Sequence, residues 1–151
     1  MLTWTEKYFN QLSNYELYQL MKLRVDVFVV EQQCPYPELD NHDYHPDLIH
    51  LLGFRGDELV AYARIIPAGL TYPTPSIGRV ITSAAIRGQG IGQTLLEHAI
   101  ASCQHHWPNQ PITIGAQYHL MKFYQNFGFA PTGEPYLEDG IRHIKMQCRS
   151  I

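Results

Sequence analysis

Alternating and helically spaced apolar residues divide the chain into a regular succession of strands and helices. Thr3 to Tyr8 reads as an extended start, and Ser13-x-x-Glu16 then forms a capping box in which serine and glutamate satisfy the free NH groups of a new helix. Leu17, Leu20, Leu23 and Val27 recur behind it at helical spacing. Between Glu31 and Asp47 the chain is rich in Pro, Asp, Asn and His, which predicts an ordered loop too polar to pack as a core element. Two strand-like runs follow, Ile49 to Phe54 and Leu59 to Ile66, parted by Arg55-Gly56-Asp57-Glu58, so a β-hairpin is the simplest connection.

Pro67 to Pro75 predicts a surface turn, and Ile77 to Thr82 a third extended run. Leu95, Leu96, Ala99, Ile100 and Cys103 outline an amphipathic helix that stops near Trp107-Pro108. Pro111 to Ala116 reads as a short buried strand and Leu120 to Phe127 as a short helix. Gly128-Phe129 opens a final pair of strands turned at Glu138-Asp139-Gly140. The succession predicts a mixed α/β fold. With 151 residues and no repeat or linker, it predicts a single domain over residues 1–151.

Composition narrows the function. Eleven Lys and Arg against fourteen Asp and Glu leave a formal charge of −3, so no global positive field exists to hold nucleic acid or an anionic membrane. Apolar runs such as Val27-Phe28-Val29-Val30 fall far short of the ~20 residues of a membrane span. The first residues lack the pattern of a secretory signal. Three widely spaced cysteines, Cys34, Cys103 and Cys148, fit neither a disulfide framework nor a CxxC site, so a reducing cytoplasm is the expected setting.

The chemistry concentrates in Arg87-Gly88-Gln89-Gly90-Ile91-Gly92, where a strand feeds glycines that open a helix. Such a loop offers unpaired backbone NH groups and a positive dipole end to a phosphate, and the missing side chains permit close approach. The spacing is not the dinucleotide fingerprint, since the third glycine counted from Gly88 falls one residue early and Ile112 stands where an acid is required. No Gly-Lys-Ser/Thr follows either. Alone, the stretch reads equally well as a tight turn with a glycine cap.

It does not stand alone. Arg-x-x-Gly-x-Gly after a strand, with Phe123-Tyr124-x-x-x-Gly128-Phe129 downstream, resembles the acyl-CoA signature of the GCN5-related N-acetyltransferase (GNAT) superfamily. Val27 to Gln32, Cys34-Pro35-Tyr36, Ala61 to Ile65, Gly115-Ala116-Gln117 and Asp139-Gly140-Ile141 extend the likeness to the ElaA branch and to nearly the whole chain. The resemblance implies a central sheet of six to seven strands, splayed between the Ile77–Thr82 and Ile112–Ala116 strands to form a cofactor slot, with about four flanking helices. It implies acetyl-CoA as donor substrate, no metal, an amine acceptor, and a monomer or homodimer. By the same resemblance Val80, Ile81 and Thr82 pair with the pantetheine arm, residues 87 to 92 cradle the pyrophosphate, and Tyr124 is the general acid. The family's usual proline after the first of these strands is replaced by Ser83-Ala84-Ala85, and Gln117 stands for its usual asparagine.

Direct transfer to a lysine-like amine needs a proton acceptor. With a reference pKa near 10.4, exposing the lone pair at pH 7 costs roughly 4.6 kcal/mol. Glu31, His50 and His119 are the candidate bases, directly or through one water, and the sequence does not choose among them. Each also has a purely structural reading: a loop brace, a satisfied polar group at a strand end, and a helix start. Cys34 near Glu31 and His42 is a candidate acyl-accepting nucleophile, and Asp40, His42, Asp43, His45 and Asp47 a candidate metal loop, although their spacing matches no zinc pattern. The competing functions are thus an N-acetyltransferase, a non-catalytic acyl-CoA-binding or sensing module, and a metal-binding interaction protein.

Overall fold

Period-two alternation gives the two faces of the central sheet different surroundings, and this division places the site. A computed structural model describes residues 1–149. Eight strands build one sheet: β1 (Thr3–Tyr8), β2 (Ile49–Arg55), β3 (Glu58–Ile66), β4 (Ser76–Thr82), β5 (Ile112–Gln117), β6 (Phe129–Pro131), β7 (Tyr136–Glu138) and β8 (Ile141–Cys148). The order is β1-β2-β3-β4-β5-β8-β6, with β7 also paired to β8. The helices are α1 (Asn14–Arg24), α2 (Ile91–His106) and α3 (Met121–Gln125). The strand number exceeds the expected six to seven because the three-residue β6 and β7 both join β8. There are three α-helices rather than four, since Val25–Glu31 continues α1 as a π-helix, with Gln32 N on Val27 O at 3.1 Å and Cys34 N on Val29 O at 3.0 Å.

On one face Ile49, Leu51, Ala61, Ala63 and Ile65 pack with Leu95, Leu96, Ala99 and Cys103 of α2, and Ile144, Met146 and Cys148 of β8 complete that core. On the other, Leu52, Leu59, Tyr62 and Ile81 meet Leu20, Leu23 and Val27 of α1 and its π continuation. Ser13 caps α1 as its spacing predicts, its hydroxyl accepting from Glu16 N at 3.0 Å while Ser13 N donates to Glu16 Oε1 at 2.9 Å.

The 31–47 loop departs from expectation. Glu38 and Asp43 are 5% and 4% exposed, because three arginines meet them on the α1 face. Arg24, wholly buried, donates through Nε to Glu38 Oε2 and through Nη1 to Asp43 Oδ1, both at 2.6 Å. Arg64 grips Asp40 at 3.0 and 2.7 Å, and Arg79 Nε reaches Glu38 Oε2 at 2.7 Å. Three cations against three carboxylates leave the cluster neutral, so polar residues pack here by mutual satisfaction.

Candidate active site

Parallel β4 and β5 share one register pair, Ser76 with Thr113, and then part. From Ile77 to Thr82 the β4 edge toward β5 has no strand beside it, which leaves backbone groups free for another partner. Between Tyr62 and Arg64 of β3 the facing stretch of β4, Gly78 to Ile81, holds one residue too many. Arg79 takes the left-handed backbone, φ 52°, at this bulge. As a result Ile77 and Val80, three positions apart, both pack toward α2, while Ile81 faces α1. A non-glycine residue there stores about 1–3 kcal/mol of strain. The double hold of Glu38 on Arg79, through its carboxylate at 2.7 Å and its carbonyl at 3.2 Å, keeps the bulge in place.

The opening widens into a cleft of about 880 Å³ lined by Val80, Ile81, Thr82, Arg87, Gln117, His119 and Tyr124 among others. Beyond β4, Gly88 and Gly90 have φ of 84° and 76°, and Gly90 is the N-cap of α2. Beyond the adjoining chain, no atom of the described residues lies within 4 Å of where either Cβ would stand, so the loop over Gly88, Gln89, Gly90, Ile91 and Gly92 presents open backbone at a helix N-terminus. The Arg87 guanidinium folds away from the loop, donating to Thr82 O at 3.3 and 3.0 Å and to Glu31 Oε2 at 2.5 Å. Across the cleft, Gln117 Nε2 donates to Gln32 Oε1 at 3.1 Å, and Cys34 Sγ to Asp139 O at 3.2 Å. The π segment and its following loop thus roof the splay.

Tyr124 comes from α3, packed edge-on against Phe123 and Phe129. Its hydroxyl has no protein hydrogen-bond partner among the described residues, and burial pushes its pKa up to about 12. It stays protonated through the neutral range.

The candidate bases separate. Glu31 lines the cleft, but its carboxylate is engaged by Arg87. His119 is exposed in the turn before α3, at the cleft wall. His50 lies on the α1 face of β2, fully buried and outside the cleft lining. Its Nε2 contacts Asp43 O at 2.9 Å and its Nδ1 the Tyr62 hydroxyl at 2.6 Å. A carbonyl only accepts, so Nε2 carries the proton and Nδ1 takes one from Tyr62; burial pushes the pKa down and keeps the ring neutral. His50 is a satisfied core group, out of reach of a substrate.

Cys34 is buried in the roof, tied to a backbone carbonyl. Among the described residues no group of three or more His, Cys, Asp or Glu is arranged to hold a metal. Asp40 and Asp43, two of the three acids of the candidate metal loop, are spent on Arg64 and Arg24. One lining residue carried no sequence signal of its own. His143 of β8 is 7% exposed and faces the cleft. The only hint is alternation, since His143, Lys145 and Gln147 oppose the core positions Ile144, Met146 and Cys148.

A strand pair that opens beside a glycine-rich helix N-terminus defines an acyltransferase site that takes its acyl group from a coenzyme A thioester. The chain belongs to the GNAT family: the model of the acetyltransferase (GNAT) domain matches residues 19–150. It is 49% identical over 146 residues to protein ElaA of Escherichia coli K12, covering 97% of this chain and 95% of that one. The crystal structure of E. coli ElaA superposes with a TM-score of 0.93 at 48% identity, over 99% of this chain and 100% of the other. An acyl-CoA N-acyltransferase from Pseudomonas aeruginosa superposes with a TM-score of 0.94 at 42% identity, over 98% and 99%. Among the described residues no helix is long and apolar enough to cross a membrane.

Proposed function

We propose that the protein is an N-acetyltransferase that moves an acetyl group from acetyl-CoA to an amine by direct attack. The observation that carries this reading is the unpartnered β4 edge opening onto the same cleft that Tyr124 lines. Backbone at Val80, Ile81 and Thr82 pairs with the pantetheine arm and polarises the thioester carbonyl. The loop from Arg87 to Gly92 holds the pyrophosphate at the positive end of α2. Gln117 lies on the slot wall opposite and orients the arm. The amine forms its bond to the carbonyl carbon, the C–S bond breaks with its electron pair on sulfur, and Tyr124 protonates the departing thiolate.

The roofed half of the cleft, on the α1 face of the sheet, receives the acceptor. Cys34 takes no acyl group in this scheme, because its thiol sits in the roof and donates to Asp139 O. Release of free CoA thiol from acetyl-CoA, assayed with spermidine, lysine, an aminoglycoside and a short peptide, tests the reading. At least one amine is expected to accelerate release, and CoA at a hundred times its Kd to stabilise the fold by ~2.7 kcal/mol. The absence of any melting shift at millimolar CoA removes the acyl-CoA reading. A shift without turnover on any amine leaves the non-catalytic module in its place.

A further inference from the structure

Among the described residues, the one that lines the cleft and combines a free basic atom with a fixed tautomer lies on the acceptor side. His143 sits in β8 in register with Gln117 of β5 on one side and Tyr136 of β7 on the other. Its Nδ1 is 2.8 Å from the carbonyl oxygen of Ile141. That oxygen can only accept, so the neutral ring carries its proton on Nδ1 and its lone pair on Nε2. The ring stacks on Tyr136, centroids 5.9 Å apart and planes at 26°, which locks its orientation. Nε2 lies 3.8 Å from Glu138 Oε2, beyond hydrogen-bond range, so its lone pair is not taken up by that side chain.

Other charges around the ring are spent. Gln117 on β5 is uncharged, the Arg142 guanidinium lies 4.1 Å over the Tyr118 ring, and the Lys145 ammonium lies 5.8 Å over the Tyr72 ring. The ring faces away from the core side, where Tyr124 packs with Phe129 and α2. Acid and base would therefore reach the thioester from opposite faces of the splayed sheet.

We infer that His143 Nε2 is the base that takes the proton from the acceptor ammonium. The inference rests on the acetyltransferase reading above and supplies the residue that reading lacks. The ammonium proton passes to Nε2, and the freed lone pair forms the C–N bond. The C–S bond then breaks with its electrons on sulfur. The second nitrogen proton balances the one that Tyr124 delivers to the thiolate, so one proton per turnover leaves through the imidazolium to water.

The test uses two acceptors in the intact protein. Spermidine amines are protonated at neutral pH and need a base, whereas hydroxylamine is a much weaker base that is largely unprotonated there. His143→Asn keeps a side-chain NH that can donate to Ile141 O but has no lone-pair nitrogen at the Nε2 position. Its kcat/KM for spermidine at pH 7 is expected to fall about 100-fold or more. The loss with hydroxylamine should be at least about tenfold smaller, and the spermidine loss should shrink as pH rises toward 10. Acetyl-CoA binding by calorimetry serves as the check on folding.

Equal losses with both acceptors at every pH overturn the inference and leave His143 a packing residue. Two-bond nitrogen–proton NMR of the parent tests it without a variant, and a ring proton found on Nε2 at pH 8 overturns it. Where another amine of the panel above is the one that turns over, it takes the place of spermidine; a folded parent that binds acetyl-CoA but acetylates no amine of that panel and not hydroxylamine overturns the acetyltransferase reading itself, and this inference with it.

Discussion

Arg87 Nη1 donates to Glu31 Oε2 at 2.5 Å, so a residue of the glycine-rich loop proposed to hold the pyrophosphate is neutralised by a carboxylate from the π segment 56 positions earlier. Both side chains are more than a third exposed, and such a pair is worth only about 0.2–1 kcal/mol. A pyrophosphate is a stronger partner for the guanidinium than one solvated carboxylate. Arg87→Ala is therefore expected to weaken CoA binding about 10- to 100-fold, the size of a charge-assisted hydrogen bond at 1.5–3 kcal/mol. Glu31→Gln removes the competitor and should tighten CoA by up to about fivefold. Calorimetry on both variants checks the pair, and a Glu31→Gln protein that binds CoA more weakly contradicts this account of Glu31.

Gly90 separates cofactor binding from folding. At φ 76° any side chain is strained, but none would clash, since beyond the adjoining chain no atom of the described residues lies within 4 Å of its Cβ position. Gly90→Val should cost about 1–2 kcal/mol of stability from the left-handed backbone alone. The valine side chain would also stand where a phosphate approaches. CoA affinity is expected to fall by more than tenfold, a loss the strain does not explain because the free and the bound protein both carry it. Chemical denaturation and calorimetry together measure the two numbers, and unchanged affinity places the cradle elsewhere.

The parts of this fold that were legible in the sequence rest on local signals. Ser13 and Glu16 lie three apart, the apolar face of α2 repeats at helical spacing, and Arg55 to Glu58 marks the β2–β3 hairpin. What escaped depends on contacts distant in the chain. The 31–47 loop reads as an ordered loop too polar to pack as a core element because its composition is polar. Glu38 and Asp43 are buried only because Arg24 and Arg79 arrive from 14 and 41 positions away from Glu38, and Arg64 from 21 positions away from Asp43. At the bulge the left-handed position is Arg79 and not its neighbour Gly78, so the sequence does not mark which residue turns. Within the site, Arg87 to Gly92 and Tyr124 stood out through their motif, whereas His143 is one polar residue in an alternating strand.

The buried cluster makes stability depend on acid. Burial raises the Asp43 carboxyl, but hydrogen bonds and charge from Arg24 and Arg64 outweigh it and hold the pKa below the ordinary value; Asp40 is lowered by Arg64 in the same way. A depressed folded-state pKa contributes stability that is present above the unfolded value near 3.9 and is lost as pH falls through the folded one. Buried His50, its pKa pushed down, already withdraws some stability as pH falls below about 6.5, and the carboxylates add a steeper fall between about pH 5 and 2. Asp43→Asn should cost about 3–5 kcal/mol at pH 7, since it leaves buried cations under-compensated. The gap to the parent should narrow at pH 2 to 3. Melting curves across that range test this, and a constant gap rules out the carboxylate as the source.

Tyr124 carries the sharpest catalytic expectation. It lines the cleft, its hydroxyl has no protein hydrogen-bond partner among the described residues, and burial raises its pKa to about 12, so it is held as an acid throughout pH 6 to 9. A departing CoA thiolate resembles a cysteine thiolate, with a reference pKa near 8.5. Such a leaving group needs less help than an alkoxide, so the lower part of the 10²–10⁴-fold range for general acid catalysis is the ceiling. Tyr124→Phe is expected to lower kcat at least about tenfold while acetyl-CoA affinity changes little, because the ring keeps its packing on Phe123 and Phe129. The phenol remains protonated over this range, so the loss should be the same at pH 6 and at pH 9. The measurement requires an acceptor for which chemistry limits turnover. An unchanged kcat there reduces Tyr124 to a wall of the cofactor slot, and a loss confined to high pH assigns the proton to a different group.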